Sequence, residues 1–234
     1  YSHCNGVYTL DDTLDVSLPT FAKELQKAGY HTGLVGKWHL KSQPQGFDYY
    51  SVFHDQGEYR DPTFKNSDDP WPGQRNFGER IHGFSTDIVT EKAIRWMKAQ
   101  DKSQPFLMCC HFKATHEPYD FPERMRHLYD GVVFPEPENL LDWGPETNGQ
   151  KLETIGHNWE VASADPDKWW CRYPELPFTT KGMSRIAARK AIYQKLIRDY
   201  LRCAATVDDN IGKLLDALDE MGIADNTIVV YVAD

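Results

Sequence analysis

Three short, almost unbroken apolar runs, each set apart from the next by segments with helical spacing, constrain this chain more than any other feature. "GLVG" within 31–36, "PFLMCCHF" at 105–112 and "TIVVYVA" at 227–233 are rich in branched or aromatic residues and bounded by Gly, Pro or polar turns. Runs of that length without polar alternation suit strands covered on both faces, as in a parallel sheet. Ahead of the first, "SLPTFAKELQKAG" (17–29) repeats Leu18, Phe21, Ala22 and Leu25 at helical spacing, with Pro19 near its start and Gly29 after its end. A second helix is predicted over 86–100, capped by Ser85 or Thr86, with Val89, Ala93, Trp96 and Met97 on one face. A third spans about 184–221, with a bend or break expected near 208–212, and Gly222 ends it. Helices alternating with covered strands predict an α/β fold, a three-layer sandwich around a mainly parallel sheet. Residues 46–83 read as loop, and 117–182 resist periodic assignment. The latter tract is too long for an ordinary connection, so it reads as a functional insertion or a subdomain.

Composition narrows the partners. Twenty-six basic against 35 acidic residues leave a net charge of −9, which argues against nucleic acid or an anionic membrane as the main partner, although a local basic pocket fits inside an acidic protein. No apolar stretch approaches the roughly 20 residues of a membrane span. Five cysteines without a C-x-x-C pair indicate neither a zinc site nor a disulfide framework, and Cys109 and Cys110 read as packing residues. The chain opens on "YSHCNGVYTL" and closes on "VVYVAD", mid-pattern at both ends, and is expected to be an internal piece of a longer polypeptide.

Ligands of open α/β sheets bind beyond the carboxyl ends of the strands. The first run leads into Lys37 and His39, the second into His116 of "ATHEPY", and the third into Asp234. If the strands are parallel neighbours, an ammonium, two imidazoles and a carboxylate share one rim. That set suits a tetrahedral oxyanion held by Lys and His, beside a hard-metal site. Taken singly, each group has a plainer reading: a solvated lysine, a Trp38 that packs between polar flanks, a surface histidine, a turn aspartate.

Residues 29–39, "GYHTGLVGKWH", resemble the second signature of the type I, formylglycine-dependent sulfatases, members of the alkaline phosphatase-like superfamily. "THEPY" (115–119) is similar to that family's P-H-x-P-Y element, with Thr115 in place of Pro. Residues 204–234 are similar to its long helix, turn and strand before a Ser-Asp-x-Gly metal motif, with Ala233 at the Ser position. The resemblance implies an incomplete alkaline phosphatase-like fold, with 1–234 a partial catalytic domain and 117–182 a loop-rich insertion. It implies that Lys37 binds a sulfate oxygen and that His39 hydrogen-bonds the formylglycine hydroxyl. His116 would contact the sulfate and protonate the leaving alcohol, and Asp234 would ligate a divalent cation, usually calcium. The Cys- or Ser-x-Pro-x-Arg nucleophile motif does not occur in these residues; formylglycine is expected upstream, and this excerpt alone is expected to be inactive. Asp11 and Asp12 are given a turn or cap role.

The reading is therefore a sulfuric-ester hydrolase acting on a carbohydrate or aryl sulfate. Trp143, Trp159, Trp169 and Trp170 form either a sugar-binding wall or the packing of an irregular subdomain. One rival is a phosphonate monoester or phosphodiester hydrolase of the same superfamily. Another is a non-catalytic binder of sulfated glycans, which the joint presence of Lys37, His39, His116 and Asp234 disfavours. Family kinship implies a periplasmic, secreted or lysosomal setting.

Overall fold

The strand β1 (His31–Trp38) is the axis of a five-stranded sheet. Its neighbours are β2 (Tyr49–His54), β3 (Thr63–Lys65), β4 (Glu79–Arg80) and β5 (Phe106–His111), in the order β4-β3-β2-β1-β5. The computed structural model describes residues 2–71, 77–141 and 182–233. The chain divides into two compact units, Tyr1–Lys113 with Val207–Asp234, and Ala114–Thr206. Besides the strands, the first unit contains the single turn α1 (Ser2–Asn5), α2 (Phe21–Lys27) and α3 (Ser85–Lys98).

β1 pairs in parallel with both β2 and β5, whereas β2–β3 and β3–β4 are antiparallel. An antiparallel ribbon is thus added to the parallel sheet anticipated from the sequence. The register places Gly33 beside Tyr49 on one side of β1 and beside Met108 on the other. One polar contact helps to set it. Thr32 donates its N–H (2.9 Å) and hydroxyl (3.0 Å) to the Asp48 carboxylate, and the Asp48 N–H returns to the Thr32 carbonyl at 2.8 Å.

Strand alternation sorts the apolar residues into two cores. Val35, Phe53 and Phe64 meet Ile88 and Val89 of α3, with the Phe53 and Phe64 rings 4.8 Å apart. Leu34, Tyr50, Val52 and Cys109 cluster separately, with Trp38, Phe47 and Trp71 against them. Burial pushes the Cys109 thiol up to about 11 and the Cys110 thiol beside it up to about 12, as expected of inert packing residues.

Several sequence expectations need correction. Residues 46–83 hold β2, β3 and β4 rather than loop alone. "YYSVF" is a strand-forming run, disguised by the Asp, Pro and Gly around it. β5 is half-buried, with only Cys109 fully covered. Residues 227–233 form no strand; Ile228, Val230, Tyr231 and Val232 are exposed. Their β propensity reflects fit to a pleated, half-buried surface, and no described strand pairs with them. Phe84, without a side-chain hydrogen bond, precedes α3 in place of the expected Ser or Thr cap. Asp12 has the expected turn role, accepting from the Tyr8 and Thr9 N–H groups at 2.8 and 2.7 Å.

The helix α4 (Arg185–Met221) runs unbroken for 37 residues, without the interruption expected near 208–212. Gly222, at φ 70°, ends it. Its N–H donates to Asp219 O, and the Ile223 N–H donates to Leu218 O, closing the last turn.

In the second unit the N-terminal part of α4 fastens chain that has no strand ladder of its own. Arg202 donates to Leu128 O, Arg198 to Tyr129 O and Val132 O, Gln194 to Phe134 O, Tyr193 to Pro135 O, and Arg189 to Leu140 O. Donors roughly one helical turn apart thus meet the carbonyls of 128–140, running in the opposite direction. Irregular backbone without a ladder takes its hydrogen-bond partners from side chains instead. Arg202 is itself buried, 5.0 Å from the Phe121 ring centre, and pairs with Asp130 (2.7 Å) and Asp199 (3.4 Å). No described helix is long and apolar enough to cross a membrane.

Candidate active site

Gly36 determines how the carboxyl end of β1 is built. It sits at φ 106°, and a Cβ there would lie 1.8 Å from the His111 carbonyl oxygen. Only glycine lets β1 and β5 approach this closely one residue before Lys37. The next residue, Lys37, lies in the strand rather than after it, beside Phe53 of β2. His111 Nδ1 is 3.2 Å from the Lys37 carbonyl, which ties β5 to the same point.

Beyond Lys37 the chain is held by indoles. Trp38 donates to Ser42 O at 2.7 Å and packs edge-on to Phe47, while Trp71 donates to Lys41 O at 3.1 Å. Trp38 therefore does pack between polar flanks, and that packing fixes the flanks. His39 Nε2 lies against Asp55 Oδ1, and Lys41 Nζ is 3.2 Å from the same oxygen. Asp55 stands one residue past β2 at φ 59°, and its backbone bridges to Trp38. Side-chain exposures of 14% for His39 and 22% for Asp55 leave this pair partly dehydrated, which strengthens it relative to a solvated pair.

From β5, buried Lys113 donates to Gln56 O at 3.1 Å, with its ammonium 5.1 Å from the Tyr59 ring centre. The rim at the carboxyl ends of β2, β1 and β5 thus gathers Lys37, His39, Lys41, His111 and Lys113, with Asp55 among them. It is a basic locality in a chain of net charge −9, suited to an anion that can be partly stripped of water.

Of the sequence-derived candidates, Lys37 and His39 come together on this rim. His116 belongs to the second unit, where it is exposed and its Nδ1 lies 2.8 Å from Glu117 O. Asp234 and the four tryptophans Trp143, Trp159, Trp169 and Trp170 lie outside the described residues. Sequence reasoning passed over Asp55, Gln56 and Lys113. Their signal was present: "HDQ" directly follows an apolar run, and Lys113 follows another. Among the described residues no group of three or more His, Cys, Asp or Glu side chains could hold a metal ion.

The sulfatase family model matches residues 1–234. The chain belongs to the sulfatase family. This sulfatase chain is 35% identical to an N-acetylglucosamine-6-O-sulfatase of Bacteroides thetaiotaomicron, over 100% of the chain and 47% of that protein. It is 25% identical to an arylsulfatase of Clostridium perfringens, over 92% of the chain and 46% of that protein. Among solved structures it resembles a protein in complex with its substrate D-glucosamine-2-N,6-O-disulfate. There the TM-score is 0.76 and the identity 32%, covering 97% of the chain and 51% of the other. The chain thus spans about half the length of these relatives. The α/β architecture is that of the alkaline phosphatase-like fold of sulfatases, and the family generally uses a metal ion and formylglycine.

Proposed function

We propose that the protein containing this chain hydrolyses a carbohydrate sulfate ester, with a 6-O-sulfated glucosamine derivative as the leading substrate. The observation that carries the reading is the placement of Lys37 at the carboxyl end of β1, between two parallel neighbours, with His39 just beyond it against Asp55, in a member of the sulfatase family. The identity to an N-acetylglucosamine-6-O-sulfatase and the structural likeness to a protein bound to a glucosamine disulfate support the sugar class.

In this reading Lys37 binds a sulfate oxygen and offsets the negative charge that grows on the sulfuryl group in the transition state. His39 takes and returns a proton at the reacting centre. For His116, as donor to the departing alcohol, and for Asp234, as one ligand of a divalent cation, calcium by resemblance, the proposal rests on their motifs. Formylglycine, where the protein carries it, supplies the attacking oxygen. Residues 1–234 read as part of the catalytic domain, with 117–182 a loop-rich insertion.

The test is sulfate release by the intact protein from N-acetylglucosamine 6-sulfate and p-nitrophenyl sulfate, beside phosphate and phosphonate analogues. Sulfate release should fall roughly 10²–10³-fold in K37A, the loss of one charge-stabilising donor. Turnover of the phosphonate without the sulfate would favour the superfamily rival. Formylglycine verified by mass spectrometry, with no ester turned over, would favour a binder.

A further inference from the structure

We propose that Asp55 is the positioning residue of His39, holding the imidazole as its Nε2–H tautomer so that Nδ1 is the nitrogen that accepts a proton. The inference deepens the proposed function and rests on its assignment of His39.

A neutral imidazole has one donor and one acceptor nitrogen, and the partner of one nitrogen decides the state of the other. His39 Nε2 lies against Asp55 Oδ1; an ionised carboxylate only accepts, so the proton of the neutral ring resides on Nε2 and the lone pair on Nδ1. When Nδ1 takes a proton from a hydroxyl at the reacting centre, the ring becomes an imidazolium and Nε2–H stays with Asp55. The carboxylate then stabilises the new positive charge without itself being protonated. Return of the same proton restores the starting state.

The backbone places the carboxylate with care. Asp55 is left-handed at φ 59°, a conformation that Asp tolerates better than most residues. Its main chain bridges to Trp38, the residue between Lys37 and His39. Gln56, next along, is anchored by Lys113 Nζ from the end of β5 at 3.1 Å. Neighbouring elements thus hold the acid and the base from separate directions, so the ring is oriented before any ligand arrives. Lys41 touches the pair itself, while His111 and Lys113 from the β5 side reach the backbone on either flank, at Lys37 O and Gln56 O. Lys41 shares Oδ1 at 3.2 Å.

Two measurements on the intact protein test this. In ¹⁵N-histidine NMR, with His39 assigned through H39Q, the neutral ring should be the Nε2–H tautomer. In sulfate-release kinetics, D55N should lose roughly 10²–10⁴-fold in kcat with KM little changed, and the acidic limb of its pH profile should move; D55E should recover part of the loss. An Nδ1–H tautomer in the unmodified protein overturns the proposal without recourse to any variant, even if D55N fails to fold. So does a folded D55N with unaltered kcat and pH profile. If H39A retains full activity, the proposed role of His39 fails instead, an outcome separable from an inactive H39A beside an unaffected D55N.

Discussion

Replacing Gly36 by alanine tests the strand approach beneath the rim. Two costs add. A non-glycine residue held at φ 106° is strained by about 1–3 kcal/mol. The new Cβ would also stand 1.8 Å from the His111 carbonyl oxygen, an overlap with backbone that no rotamer change can relieve, and overpacking of this kind costs about 1–3 kcal/mol more. The total of about 2–6 kcal/mol corresponds to a fall in Tm of roughly 4–24 °C at the 2–4 °C per kcal/mol expected for 150–250 residues. Gly29 is the matched control. It has φ 89°, but a Cβ added there would meet no atom within 4 Å, so Gly29→Ala carries the strain without the overlap. Thermal unfolding of both variants by circular dichroism isolates the strand–strand term. A Gly36→Ala protein no less stable than Gly29→Ala would refute the idea that close approach of β1 and β5 requires glycine.

Other sites give independent checks. Gly212 lies inside α4 with open space around it, so Gly212→Ala should stabilise the protein by about 0.5–1 kcal/mol in denaturant unfolding. Asp199 is buried against Lys195 at 2.7 Å and Arg202 at 3.4 Å; Asp199→Ala takes a buried carboxylate from both cations, with Arg202 keeping Asp130, and should cost about 1.5–3 kcal/mol by the same measurement. Burial pushes the Asp48 carboxyl up, but donation from the Thr32 N–H, the Gln26 amide and the Thr32 hydroxyl outweighs it and holds Asp48 below its ordinary value. Its contribution is complete above the unfolded value of about 3.9 and is lost as pH falls through the lower folded value. Asp48→Asn should therefore flatten the loss of stability below about pH 4, and an unchanged acid slope would contradict that. Site-resolved thiol labelling at pH 8 should modify exposed Cys4 well before Cys109 and Cys110.

Where local pattern and tertiary demand agreed, the sequence was readable. β1, α3 and α4 satisfy their own periodicity, and Lys37 and His39 stand where an open-sheet rim requires a polar group. β2 escaped notice because "YYSVF" is only five residues long amid Asp, Pro and Gly, and with it went Asp55, whose meaning depends on a register that no local signal contains. Nothing in the local sequence marks the stripe of Arg189, Gln194, Arg198 and Arg202 for a role beyond a helix surface. The stripe nevertheless supplies donors to chain 128–140, a pairing set by contact between distant segments. Residues 227–233 erred in the other direction: strand propensity was strong, but a strand also needs an edge to join.

Val52 and Phe53 are adjacent in the chain, yet the pleat sends one into the Leu34 cluster and the other into the cluster with α3. The sheet acts as a partition between two interiors, so damage on one side need not spread to the other. Truncations at these two neighbours should combine almost independently, whereas Phe53 and Phe64, eleven positions apart but ring to ring, should not. Energetic kinship here follows the face of a strand rather than distance along the polymer.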